Sequence, residues 1–166
     1  MVTIGDSFSI VATLAGLAVT LWAFLVACAL LFPARVAAAR NAVSTHTSAC
    51  IGTGFAAFLV GFFGIVVLQV PNPGVKLFGM IMVSSYFAMV AIGSSGIAKL
   101  ASERLRSLKG DHSNLFDSYA KSALYIVVAG MLPILGWFLF APIFMLTAGG
   151  AGLLALLKPA TANEVA

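Results

Sequence analysis

Residues 50–98 read CIGTGFAAFLVGFFGIVVLQV PNPG VKLFGMIMVSSYFAMVAIGSSGIA. Two apolar runs flank Pro71-Asn72-Pro73-Gly74, and Lys76 is the only charged side chain in the stretch. A run of ~20 apolar residues is long enough, as helix, to cross the ~30 Å hydrocarbon core of a bilayer. The Pro/Gly cluster is a strong turn signal. The stretch therefore predicts a hairpin of two transmembrane helices, about 50–70 and 76–98.

The rest of the chain agrees with this. Of 166 residues, 61% are hydrophobic and 8% charged, against about 25% charged in soluble domains. The mean hydropathy is +1.10. A soluble fold of this size cannot hide that much apolar surface. The predicted class is an all-α integral membrane protein, one transmembrane domain over 1–166, a bundle of four to five transmembrane helices built from helical hairpins.

A first span is expected over 8–32, about 37 Å at ~1.5 Å per residue. No Lys or Arg precedes it, and it exceeds the ~7–15 apolar residues of a signal peptide, so it reads as a retained span. The Ala-rich segment Ala34–Arg40 is expected to carry the helix on past the membrane surface. Ser44–Ser48 reads as a polar break. Residues 99–115 form a basic cytoplasmic linker, in which 99–109 prolongs the third helix, Gly110 stops it, and Asp111 or Ser113 caps the next.

The last apolar stretch, Ala123–Leu157, is too long for one straight span. Pro133 and Gly136 interrupt it, so the favoured reading is a hairpin with spans at 116–132 and 137–157. A single kinked helix with an interfacial start is the alternative. Pro71…Gly74 and Pro133…Gly136 share one spacing, as a duplicated hairpin would.

The net charge of +4 sits between the apolar runs. It is read as a topology signal rather than as nucleic-acid affinity. With the Arg35/Arg40 loop and the 99–121 segment cytoplasmic, five spans place eight Lys/Arg inside and Lys76 alone outside. Four spans give seven against two. Both arrangements put the N-terminus outside and the basic loops in the cytoplasm of a multi-pass cell-membrane protein.

Candidate functional residues are sparse. An ionisable side chain within a span would flag function because it is costly there, and none lies in the middle of an expected span. His46 and His112 fall in polar segments on the cytoplasmic side, where neither suits a haem held between facing helices, and a metal site using both lacks a third ligand. Cys28 and Cys50 read as small hydrophobes at different depths, not as a disulfide. No cofactor is predicted; bound lipid is.

Small residues carry the clearest pattern. Gly54, Ala57, Gly61 and Gly64 recur at steps of three and four and share one helix face. Gly149, Gly150 and Gly152 cluster in the last span, and Ala12/Gly16 share a four-residue spacing in the first. Such faces let helix backbones approach closely. Ser84, Ser85 and Tyr86 form the densest neutral polar group, read either as the wall of a small polar cavity or as interhelical hydrogen-bonding residues. Lys99, Arg104, Arg106 and Lys109 read as flanking charge that is also suited to dock an anionic lipid surface or a partner. Trp137 is expected in an interfacial belt.

Leu132-Pro133-Ile134-Leu135-Gly136-Trp137, the run Gly149–Leu157 and the short basic linker together resemble, over about 51–157, the helical membrane segment of bactofilin-like, polymer-forming membrane proteins. The resemblance implies a helical membrane architecture. Members of that group carry a β-helical polymer domain outside this segment, and this sequence contains none.

Paired carboxylates, a Cys/His dyad and a phosphate loop are all missing from the sequence, so no enzyme is expected. The leading expectation is a small, non-catalytic accessory, anchoring or scaffold subunit of a larger membrane assembly. Its partners are then membrane lipids and other integral membrane subunits, in a hetero- or homo-oligomer. The alternative is a small channel or transporter for a neutral solute.

Overall fold

A computed structural model describes residues 4–109, 114–132 and 134–157, with side chains from Phe8 onward except that of Lys109. The expectations for Gly110, Asp111, His112, Ser113, Pro133 and Lys158 lie outside the described residues. The elements in order are α1 (Ile4–Leu31), α2 (Pro33–Thr45), α3 (Thr47–Leu68), α4 (Pro73–Lys109), α5 (Leu115–Met131), a π-helical turn (Leu135–Phe140) and α6 (Ala141–Leu157). Among the described residues four stretches are long and apolar enough to cross a membrane: Phe8–Leu31, Thr47–Leu68, Pro73–Leu108 and Leu135–Leu157.

The Pro71–Gly74 turn joins α3 to α4 as an antiparallel pair. Gly74 N–H donates to the Asn72 side chain at 3.0 Å, closing a local turn that starts α4. Down the pair, Gly61 lies against Tyr86, and Gly64 against Gly79 and Met82. α4 is one helix of 37 residues, so the basic segment 99–109 continues the third span without a break.

α6 packs against both partners of this hairpin. Gly93 abuts the Ala148 carbonyl and Gly152 the Met89 carbonyl, so α6 is antiparallel to α4 and runs the same way as α3. Gly54 and Gly150 face each other across α3 and α6. Backbones this close have no room for side chains, and the contact is made by dispersion between main chains.

The segment after α1 corrects the expectation that it continues beyond the membrane surface. The helix breaks at Phe32, where φ is −127° and ψ is 53°, and Pro33 starts α2 as a separate helix. α2 lies inside the bundle. Val36 through Ala39 and Val43 are buried, and Ala39 sits directly on Gly96 of α4. The alanines are too small to give an apolar signal, and their smallness is what admits α2 between α4 and α6. Arg35 Nη1 donates to the Ala155 and Leu156 carbonyls, at 2.8 and 3.2 Å, and so caps the last turn of α6. Arg35 and Arg40 are thus packed against helices instead of standing in a loop. Arg40 also pairs with Glu103 of α4 through Nε at 2.7 Å.

The C-terminal hairpin also differs. α5 has 17 residues, about 25 Å of helix. It carries Asp117 and Lys121, paired at 2.6 Å, and is not one of the four span-length helices. After α5 the chain turns tightly. A Cβ on Gly136 would lie 2.6 Å from the Gly130 carbonyl and 2.8 Å from that of Ala129, so only glycine allows this approach. The reversal places Leu135 and Leu139 beside Val43 and Ile97, at the end of the bundle where α2 turns into α3. A second hairpin repeating the first would put it at the Pro71 end. Four span-length stretches agree with the lower of the two expected span counts, but the turn between α5 and α6 replaces the single kinked helix of that alternative.

Candidate functional site

The closest-packed region is the contact of α3, α4 and α6. All four small residues read from span two, Gly54, Ala57, Gly61 and Gly64, are buried there. Gly149, Gly150 and Gly152 are buried too, but they are not equivalent. A Cβ on Gly150 would overlap the Cys50 carbonyl, and one on Gly152 the Met89 carbonyl. A Cβ on Gly149 meets only the Tyr86 ring at 3.5 Å and Val90 at 3.8 Å.

Of Ser84, Ser85 and Tyr86, the last two line one small space and Ser84 does not. Ser84 and Ser85 are exposed, and Ser85 Oγ donates to its own helix at the Ile81 carbonyl, 2.8 Å away. Tyr86 turns inward, its ring 6.3 Å from Phe58 in an edge contact. Its hydroxyl is buried and has no hydrogen-bond partner among the described residues. Ser85 and Tyr86 both line a small space of about 140 Å³, whose other walls, Ala56, Val60, Met82 and Leu153 among them, are apolar. A buried hydroxyl without a partner costs ~1–3 kcal/mol. Tyr86→Phe is therefore expected to leave the fold intact and to raise stability by about 1 kcal/mol. Thermal unfolding in detergent checks this, and a clear loss of stability would mean that the hydroxyl has a partner.

A second polar region was not foreseen. Ser94, Ser95, Ser102, Ser118, Tyr119 and Ser122 are all buried. The Leu25 carbonyl of α1 accepts the Tyr119 hydroxyl of α5 at 3.1 Å, and Ser95 Oγ of α4 is shared between that carbonyl at 3.2 Å and the Ala91 carbonyl of its own helix at 3.0 Å. Trp22 Nε1 donates to the Ala120 carbonyl at 2.8 Å, adding a second tie between α1 and α5. The available signal was spacing. Ser95 and Ser102 are seven apart and Ser118 and Ser122 four apart, each pair on one helix face. Both pairs were obscured because they fall in or beside the charged linker.

The basic residues divide. Arg104 is exposed; Lys99 and Arg106 are partly buried. Arg106 Nε has no partner among the described residues. Lys109 ends α4, with its side chain outside the described set. Arg40, Lys99, Arg104 and Arg106 all belong to the end of the bundle where α2 meets α3.

A concavity lies at that same end. It holds about 460 Å³ between the last turn of α5, the π-helical turn, the start of α6 and the walls of α2 and α4. Among the described residues Thr147 is its only lining side chain with a polar group, and that hydroxyl donates to the Ile143 carbonyl at 2.8 Å. Cys28 and Cys50 are both free and buried. Among the described residues no three His, Cys, Asp or Glu side chains gather as a metal ion would need.

Comparison with protein-family models, with curated proteins and with solved structures finds no match for this chain.

Proposed function

We propose that the protein is a non-catalytic accessory or anchoring subunit of a larger membrane assembly, inserted through the four long apolar helices. The observation that carries this reading is the first half of α1. Every residue from Phe8 to Leu17 is exposed, over a length of about 15 Å. Its anchorage begins only near Ala18 and Trp22. Helix pairing in a bilayer draws on close backbone packing, because lipid tails are as apolar as the side chains. The exposed stretch offers Ala12 and Gly16 on one face, a surface another helix can approach. By the positive-inside rule, the end bearing Arg40, Lys99, Arg104 and Arg106 is cytoplasmic and the Pro71–Gly74 turn is on the far side.

Extraction of the native membrane in mild detergent, followed by native sizing and mass spectrometry, tests the reading. Stoichiometric co-migration with other integral membrane proteins is expected. Migration as a lone chain would overturn it.

A further inference from the structure

The concavity beside the π-helical turn invites a ligand, because its lining is so uniform. Val43, Ile97, Leu132, Leu139 and Phe140 present hydrocarbon, and the Thr147 hydroxyl is already satisfied by its own helix. An occupant bringing a polar group would find no hydrogen-bond partner here and would lose its hydration. The volume falls in the roughly 300–1,000 Å³ range of small-molecule sites. A π-helical turn forms one wall, and such turns occur often at functional sites.

The direction of the groove identifies the rest of the ligand. Because α6 is antiparallel to α4, with Ala148 at Gly93, each step from Thr147 back toward Leu135 moves along α4 toward its C-terminal end. From Ile97 that path leads to Arg104, seven residues and two turns on. It shares the same face of α4, roughly 10 Å away. Arg104 is exposed, and forms no ion pair among the described residues. A hydrocarbon slot leading to an exposed guanidinium that is in no ion pair among the described residues matches a molecule with a long apolar tail and an anionic head.

We propose that this groove binds one acyl chain of an anionic phospholipid, with the lipid phosphate held by Arg104. The site does not depend on the accessory-subunit reading. Arg is suited to the task because its guanidinium meets phosphate oxygens in a bidentate fork.

The test uses the full chain in mild detergent, offered equal amounts of dioleoyl phosphatidylglycerol and dioleoyl phosphatidylcholine, with native mass spectrometry counting bound lipid. One phosphatidylglycerol per chain should be retained, favoured about fivefold, the size expected for one basic residue at a lipid phosphate. Arg104→Gln should bring the two lipids to parity while one lipid still binds. An unchanged preference in Arg104→Gln overturns the assignment of the phosphate. Ala129→Phe, which fills the groove from α5, should abolish retention. If that variant fails to fold, the wild-type chain is probed instead with phosphatidylglycerol carrying a photoreactive group at the end of one acyl chain. Adducts concentrated in 129–147 support the site, and adducts spread evenly over α1 and α3 overturn it.

Discussion

Gly150→Ala is expected to destabilise the bundle by about 2–3 kcal/mol, although it adds a single methyl group. The added Cβ would run into the Cys50 carbonyl and the backbone nitrogen of Gly54. These are main-chain atoms of a regular helix and cannot rotate away, so α3 and α6 must separate. Separation also loosens the neighbouring contact of Gly54 with Leu146. Gly149→Ala, one residue earlier, is the control. Its Cβ finds ordinary contact distances, and alanine is the better helix former by about 1 kcal/mol. That variant should be neutral or slightly stabilising. Thermal or denaturant unfolding of both proteins in one detergent checks the pair; equal effects would show that α6 does not present Gly150 to α3.

Leu25→Ala is the second large effect expected, a loss of about 2 kcal/mol concentrated in α1. Only Leu25 and Cys28 are buried among the described side chains of this helix, so its attachment is narrow. Leu25 packs with Ala98, Tyr119, Ala123 and Val127 where α1, α4 and α5 meet. Removing it leaves a cavity beside the Tyr119 hydroxyl that its carbonyl accepts. Large-to-small changes in cores cost ~2–5 kcal/mol. The low end is appropriate here because transfer to lipid recovers little of the lost apolar burial. Leu21→Ala, on the exposed side of the same helix, should cost much less. Limited proteolysis gives a readout specific to α1: the Leu25→Ala protein should be cut near Phe32 before the rest of the bundle is attacked.

The hairpin of α3 and α4 was legible because length, hydropathy and the Pro71–Gly74 turn all indicate the same structure. The small-residue face Gly54–Gly64 was legible from spacing alone, since three- and four-residue steps put those positions on one side of any helix. What spacing does not report is which neighbour each glycine meets. Gly149 and Gly150 look alike in the chain, and they differ only because α3 passes over one of them. α2 was hidden for a related reason. Its alanines, with Arg35, Arg40 and Asn41 among them, read as a polar extension, while in the fold their lack of bulk lets α2 enter the core. The course of the chain after α5 depended on Gly136 meeting the carbonyls of Ala129 and Gly130, a contact between residues too close in sequence for periodicity to reveal. The serine seam at Leu25 joins three helices, and the Ser95/Ser102 and Ser118/Ser122 spacings mark a face on each of two of them without saying that those faces meet at α1.

The most direct test of the account is the sidedness of the α3–α4 hairpin. Cys28 and Cys50 are replaced by alanine, and single cysteines are introduced as Asn72→Cys in the turn and Ser107→Cys near the end of α4, both exposed positions. A membrane-impermeant maleimide is then applied to sealed vesicles and to vesicles of the opposite orientation. The account predicts that Asn72→Cys reacts from one side only and Ser107→Cys from the other only, with Ser107→Cys on the cytoplasmic side. Reaction of both from the same side would contradict it, because α4 would then not cross the membrane.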